Sequence, residues 1–494
     1  MSKPKIFIQI ASYRDKELRP TIKDSLEKAT YPERLTFGIC WQHHKKDDWD
    51  NLDEYKNDPR FTIDDVDYTI SKGLGWARAR TQKLWKGEEY TLQIDSHHRF
   101  AKGWDEDLIF MMKQTGSPKP IIGSYAAPYT PGEPLVDPGP YKIVGTTFSS
   151  YGTIIFYPHH IDEHRELTAP IPARFVSGHF FFTIGLHCKE YLYDPEIYFA
   201  GDEISLSIRS YTLGYDLFHP HKVVLWHEYI RQKSIKHWDD FDFQKKTNGE
   251  ATDAWHDLDE VSKRRLRQML REEDNHIDLG KYTLGTVRTH SDYERYAGIS
   301  FRHRKLHPNT LAGINPPVNI PTEQWLSGQQ SYNIPLALPE NPQNMDYLYI
   351  GIEGKNNEII HQQEFRNVQS RTVTVEFSSS IIPYKWVYIP HLNNGNWADR
   401  KDIIFGKTED GVIFDKIFSP KENYQSNMPE EPIPFMPRKL QSDMPEEPIP
   451  FMPRKLQSEE PIPFMPRKLQ SEEPIPFMPR KLHILKSNPF GNKF

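Results

Sequence analysis

Short apolar runs alternate with helix-like stretches through residues 1–310, and few architectures accommodate that order. KIFIQIA (5–11), RLTFGICW (34–41) and YTLQID (90–95) have the composition of buried strands. Between and after them, Leu18 to Ala29, Leu74 to Trp85 and Trp104 to Met112 read as helices. Strands separated by helices imply crossover connections, hence a mostly parallel sheet with helices on its faces. Ligands of such sheets bind beyond the carboxyl ends of the strands, so polar residues that directly follow a strand come first.

The texture changes from about Leu311. NIPLALP, MDYLYIGIEG, RTVTVEFSSSIIP and KWVYIPHL are β-like runs separated by Pro, Asn and Gly, which predicts a small antiparallel β-sandwich-like domain over 311–420. A repeat closes the chain. EEPIPFMPRKLQ stands at 430–441, 446–457 and 459–470, and EEPIPFMPRKL at 472–482. Each unit carries at least three prolines, which lack the amide donor and push the preceding residue towards extended backbone. Residues 421–494 therefore read as a disordered proline-rich tail, serving either as a docking segment for a protein partner or as a passive extension.

Composition removes several function classes. A net charge of −6 supplies no basic field, so nucleic acid is not an expected partner. Cys40 and Cys188, without CxxC spacing, support neither a disulfide framework nor a cysteine metal site. No run approaches the roughly 20 apolar residues of a membrane helix, and no leader pattern precedes the first strand, which gives a cytoplasmic expectation. The glycines of GLGWARAR (73–80) match neither a P-loop nor a GxGxxG fingerprint, so nucleotide hydrolysis and hydride transfer lose their main support.

The sharpest chemical signal is TLQIDSHHRF (91–100), where a strand ends in Asp95, Ser96, His97 and His98. Asp95 and His97, two apart, leave the same face of an extended backbone, and a carboxylate beside an imidazole suits a divalent ion. On spacing alone the plainer alternative stays open, in which Asp95 caps the next loop beside surface histidines. In KVVLWHEYI (222–230), His227 ends another strand and is either structural or a third ligand. At 201–211, Gly201 makes a turn, Asp202 is a candidate N-cap, and Ile204, Leu206, Ile208 and Tyr211 form an apolar helix face. Capping uses one acid and leaves Glu203 over. Ser12, Tyr13, Arg14 and Asp15 follow the first strand, where Arg14 and Asp15 could hold a nucleotide. Gly73 precedes a helix bearing Arg78 and Arg80, and a helix N-terminus with arginines favours phosphate.

In this order, the pieces resemble a GT-A glycosyltransferase, over about residues 4–305. They look most like the family that adds GlcNAc to hydroxyproline on a eukaryotic ubiquitin-ligase subunit, and more distantly like the polypeptide N-acetylgalactosaminyltransferases. IASYRD resembles the nucleotide-binding first loop, and GLGWARAR the glycine–arginine segment beside the donor. IDSHHRF is similar to the Asp-x-His, DXD-like metal motif, and SGHFFFTIG (177–185) to the donor-sugar loop. GDEISLSIRSYTLGYDLFHP resembles the acidic pair and following helix, LWHEY the downstream histidine ligand, and LGTVRTHSDYERYAGISF (284–301) the closing segment. His179 departs from the pattern, since many relatives have glycine there.

The resemblance implies a Rossmann-like mixed α/β sheet over 1–310 with helices on both faces. It implies Mn²⁺ or Mg²⁺ held by Asp95, His97 and His227, and Asp202 and Glu203 as the catalytic acidic pair. Donor contacts would come from Ser12, Tyr13, Arg14, Asp15, Gly73, Arg78, Arg80, Asp95, Ser96, Ser177, Gly178 and His179. The implied reaction is retaining transfer of a sugar, GlcNAc from UDP-GlcNAc, to a hydroxyl of a polypeptide, on hydroxyproline or Ser/Thr. The alternatives are transfer to a surface polysaccharide or other glycan acceptor, and a noncatalytic carbohydrate-binding or scaffold protein of the same fold.

Overall fold

A computed structural model describes residues 3–405 apart from breaks at 150–151, 163, 232–233, 250, 252, 273–276, 328–329, 367 and 393–396. The repeats, and the tail expected over 421–494, lie outside the described residues. The chain divides into two compact units between Gly328 and Gln329.

The first unit is built on one mixed sheet. Its first four strands are β1 (Ile6–Tyr13), β2 (Leu35–His43), β3 (Phe61–Asp67) and β4 (Tyr90–Ile94). β1 pairs in parallel with both β2 and β4, and β2 in parallel with β3. The helices between them are α1 (Leu18–Lys28) and α2 (Leu74–Gln82), and α3 (Trp104–Gln114) follows. β1 and β2 are buried along nearly their whole length, as expected of near-continuous apolar runs. Ile6, Ile8 and Ile10 of β1 share a cluster with Ile39, Leu92, Ile94, Leu108 and Phe182.

The departure from a parallel sheet lies at its centre. After β5 (His98–Phe100), β6 (Pro120–Gly123), β7 (Ala127–Pro128), the paired β8 (Tyr141–Phe148) and β9 (Ile154–His160), and β10 (Ile171–Pro172), strand β11 (Phe180–Ile184) enters between β4 and β6 and runs antiparallel to both. A helical turn, α4 (His187–Glu190), and the helix α5 (Asp202–Thr212) precede β12 (Asp216–His219), which is parallel to β6. The order across the sheet is β10-β12-β6-β11-β4-β1-β2-β3. A three-stranded sheet stands beside it, in which β13 (Leu225–His227) is antiparallel to β5 and parallel to β7. Among the described residues no helix is long and apolar enough to cross a membrane.

β14 (Ile299–Ser300) and β15 (Lys305–Leu306) form a small hairpin. Two helical turns, Pro308–Leu311 and Thr322–Leu326, come before the next strand, so the β-rich texture sets in at Gln330. In the second unit β16 (Gln330–Ala337) pairs with β19 (Thr372–Ser379). A four-stranded sheet there has the order β18-β17-β20-β21, from β17 (Met345–Glu353), β18 (Ile359–Arg366), β20 (Lys385–Leu392) and β21 (Lys401–Ile404). Leu348, Ile350 and Ile352 of β17 join Leu336 of β16, Val375 of β19 and Trp386 of β20 in one buried cluster.

Candidate functional site

Strand register gathers residues distant in sequence at one end of the large sheet. Phe180 of β11 pairs with Ile94 of β4, so one step outward His179 faces Asp95. In the small sheet His227 of β13 lies opposite His98 of β5. Asp95, His97, His98, His179 and His227 thereby converge, with ring centroids of His97, His98 and His179 at 4.7, 4.8 and 4.3 Å from that of His227. One ligand atom from each of Asp95, His179 and His227 lies within 4.8 Å of the others.

Asp95, His97 and His179 have side-chain or backbone partners, whereas the ring nitrogens of His98 and His227 make no hydrogen bond. Asp95 Oδ1 accepts from Arg78 Nη2 at 3.2 Å, while Oδ2 lies 3.4 Å from His227 Nε2 and 3.9 Å from His97 Nε2. His97 Nδ1 meets Asp15 Oδ2 at 2.8 Å, which leaves Nε2 as the nitrogen directed at Asp95. Asp15 is buried and also receives Ser96 Oγ at 2.5 Å and Arg231 Nη2 at 2.9 Å. Burial opposes its charge, yet Arg231 and His97 hold its carboxyl far below the ordinary carboxylate range. A carboxylate that fixes the far nitrogen of a histidine is the usual support of an imidazole ligand. Burial above all pushes His227, His98 and His179 well below the ordinary imidazole pKa, so they present neutral lone pairs.

Behind this group runs a buried ion-pair chain. The Arg78 guanidinium touches Asp202 and Asp95, donates to the Gly178 carbonyl at 2.8 Å, and lies 3.5 Å from Tyr193 Oη. A Cβ at Gly178 would stand 2.2 Å from Arg78 Nη1 and 2.5 Å from Asp202 Oδ2, so a larger residue there would displace that ion pair. Gln93 Nε2 braces the same carbonyl at 2.7 Å. Asp202 is not the N-cap its position suggests. Gly201, at φ +86°, takes that place, and Asp202 is the first helical residue with its carboxylate turned to Arg78.

Glu203 accepts from Tyr125 Oη at 2.9 Å. Burial raises its carboxyl well above the ordinary range, with only partial relief from Tyr125. The folded chain then keeps this proton above pH 4.5, where the unfolded chain releases it, so stability is complete below that pH and declines as pH rises towards the folded pKa. Glu203→Gln is expected to remove this decline, about 1.4 kcal/mol per pH unit within the window. Urea midpoints of both proteins at pH 5 and pH 8 test it, and an identical pH response in the two would refute the assignment.

Other expected contacts fall elsewhere. Arg80 pairs with Asp64 of β3 at 2.5 and 2.7 Å, away from Arg78, because residues two apart on a helix do not share a face. The first N–H groups of α2, at Leu74 and Gly75, donate to the carbonyls of Tyr198 and Ile197 at 2.9 and 3.1 Å. That helix end therefore does not offer them to a phosphate. Gly73 serves the same contact, since a Cβ on it would meet the Tyr198 ring at 2.4 Å. Arg14, at φ +44°, bonds Asp47 and Asp240 at 2.8 and 2.9 Å over the Tyr68 ring, and Tyr13 Oη bonds Asp240 at 2.9 Å. Ser12 is buried and its Oγ has no hydrogen bond. Ser177 Oγ meets His179 Nδ1 at 2.7 Å. Sequence reasoning did not single out Tyr125, Tyr193 or Arg231, whose roles depend on contacts made across more than 70 residues.

The sequence matches the model of the family described as Glycosyltransferase (GlcNAc) over residues 5–62 and 52–303. Among curated proteins none matches. Among solved structures, GalNAc-T7 with UDP, GalNAc and Mn²⁺ is similar at TM-score 0.38 and 12% identity, over 81% of this chain and 71% of that one. S. aureus TarS 1–349 is similar at TM-score 0.32 and 12% identity, over 56% of this chain and 75% of that one. Its complex with UDP-GlcNAc gives 0.32 and 13%, over 52% and 70%. Likeness at these scores is too slight to transfer anything to this chain.

Proposed function

This chain belongs to the Glycosyltransferase (GlcNAc) family, and from that membership we propose that it moves GlcNAc from UDP-GlcNAc to a polypeptide hydroxyl, on hydroxyproline or Ser/Thr, with the help of a divalent ion. The observation that carries the ion is His227. It is buried, and neither ring nitrogen makes a hydrogen bond of acceptable geometry, although Asp95 Oδ2 is 3.4 Å from Nε2. Leaving such a group unmatched costs roughly 1–3 kcal/mol, whereas an ion would use the lone pair. Asp95, His97 and His227 would hold Mn²⁺ or Mg²⁺, which supplies neutralisation of the diphosphate leaving group.

The chain's own residues do the rest. Arg78 occupies Asp95 Oδ1 and so leaves Oδ2 for the ion side. Asp15 fixes His97, and Arg231 ties the segment after β13 to that carboxylate. Asp202 and Glu203, at the start of α5, would bind hydroxyls of the sugar or the acceptor, Glu203 as a neutral acid able to donate. In the proposed retaining course the C1–phosphate bond breaks as the acceptor oxygen bonds C1 from the same face. The acceptor proton passes to the departing phosphate oxygen, so no strong protein base is required.

Isothermal titration of the full chain with UDP-GlcNAc, UDP-GalNAc, UDP-glucose and GDP-mannose, each with and without Mn²⁺, tests this reading. UDP-GlcNAc is expected to bind only with the ion, and the others at least about tenfold more weakly, a difference of ~1.4 kcal/mol. Binding that ignores the ion, or no binding of any donor, would remove the proposal.

A further inference from the structure

We propose that His179 belongs to the donor set of the ion, giving this chain a site of one carboxylate and three imidazoles that favours Co²⁺ and Zn²⁺ over Mg²⁺. The inference rests on the ion-dependent reading above and adds a ligand to it. His179 is brought to the site by the antiparallel strand β11, which sets it opposite Asp95. Its ring stacks on that of His227 at 4.3 Å and 25°, and both lie within ligand reach of Asp95.

The hydrogen bonds around the ring fix which nitrogen is available. Ser177 Oγ lies 2.7 Å from Nδ1, and that hydrogen bond takes up this nitrogen. The Ala126 N–H points at Nε2 from 3.2 Å, as it does only towards a lone pair. Nε2 is thus the basic atom of a neutral imidazole, the form that binds metal. Nε2 lies 3.2 Å from both Ala126 N and Tyr229 Oη, long contacts that an ion would replace. Filling this space would not require histidine, since an apolar ring packs a buried position without polar atoms to satisfy. Nitrogen-rich sets of this kind suit late first-row ions, whereas Mg²⁺ demands oxygen ligands.

The test uses ion-stripped full chain titrated with Co²⁺, Zn²⁺ and Mg²⁺, followed by calorimetry and, for Co²⁺, visible absorption. The unaltered chain is expected to bind Co²⁺ and Zn²⁺ at least about 100-fold more tightly than Mg²⁺. His179→Ala should weaken Co²⁺ at least about tenfold and change its absorption band, with circular dichroism unaltered. If that variant does not fold, His179→Gln is used. On the unaltered chain, pulsed electron paramagnetic resonance of bound Cu²⁺ should count three imidazole nitrogens. Two nitrogens, or unchanged Co²⁺ affinity and spectrum in the His179 variants while His227→Ala loses both, would overturn the proposal and leave the ion-dependent reading standing. If the unaltered chain binds none of these ions, that reading falls first and takes this one with it.

Discussion

Replacing Asp95 with alanine is expected to abolish ion-dependent donor binding and to lower transfer by roughly 10³-fold. Asp95 is the only carboxylate in the set that faces two imidazoles, with Oδ2 3.4 Å from His227 Nε2 and 3.9 Å from His97 Nε2. Burial works against its charge, but His227, Arg78 and His97 hold it well below the ordinary carboxylate range, so it is ionised at any pH of interest. Without it, the imidazoles remain next to the Arg78 guanidinium with no anionic ligand among them, and Mn²⁺ is held far more weakly. Asp95→Asn separates charge from shape, since the amide keeps the volume and loses the ion. Both variants should keep the Arg78–Asp202 contact, and therefore their fold. Calorimetry with UDP-GlcNAc and Mn²⁺, beside a transfer assay, measures the effect. Full transfer by Asp95→Ala in the absence of metal would end the ion-dependent scheme.

What the sequence could tell about this site follows the range of each interaction. β1, β4, α1 and α3 are legible because burial of one strand or one helix face is a local pattern, and Asp95 with His97 is legible because extended backbone puts alternate residues together. His227 could be nominated from the end of its strand, but only the ladder between β13 and β5 brings it to His98 and Asp95. His179 needed more, because β11 is antiparallel between two distant strands and nothing local announces that pairing. Arg78 and Arg80 look equivalent in GLGWARAR, yet one is buried among carboxylates of the site and the other pairs with Asp64 of β3. Asp15 follows the first strand, where a nucleotide contact was expected, but its carboxylate is taken up by Ser96, His97 and Arg231. In the second unit β18 escaped notice because IIHQQEFR lacks the apolar density of its neighbours and is a strand by virtue of pairing with β17.

Arg78→Ala should be the most damaging substitution for the fold of the first unit. The guanidinium is fully enclosed and sits between Asp202 and Asp95, with the Gly178 carbonyl as a third acceptor. Removing one partner of a buried pair leaves uncompensated charge, at a cost of about 3–5 kcal/mol. The pH dependence identifies the cause. Burial already raises the folded pKa of Asp202, and Arg78 is what restrains it, so the variant's Asp202 must rise further. A raised acid gives stability below its unfolded pKa of 3.8 and loses it as pH climbs through the folded value. The deficit of Arg78→Ala is therefore expected to be smaller at pH 5 than at pH 8. Adding Asp202→Asn should recover part of it at pH 8 and little at pH 5, because the amide has no charge to leave stranded. Arg78→Lys should fall between the two, since an ammonium cannot reach two carboxylates and a carbonyl in the planar fork of arginine. Denaturant midpoints of the four proteins at both pH values decide it. A loss below about 1 kcal/mol, or one equal at the two pH values, would mean that Arg78 is packed in the site without holding its charges in balance.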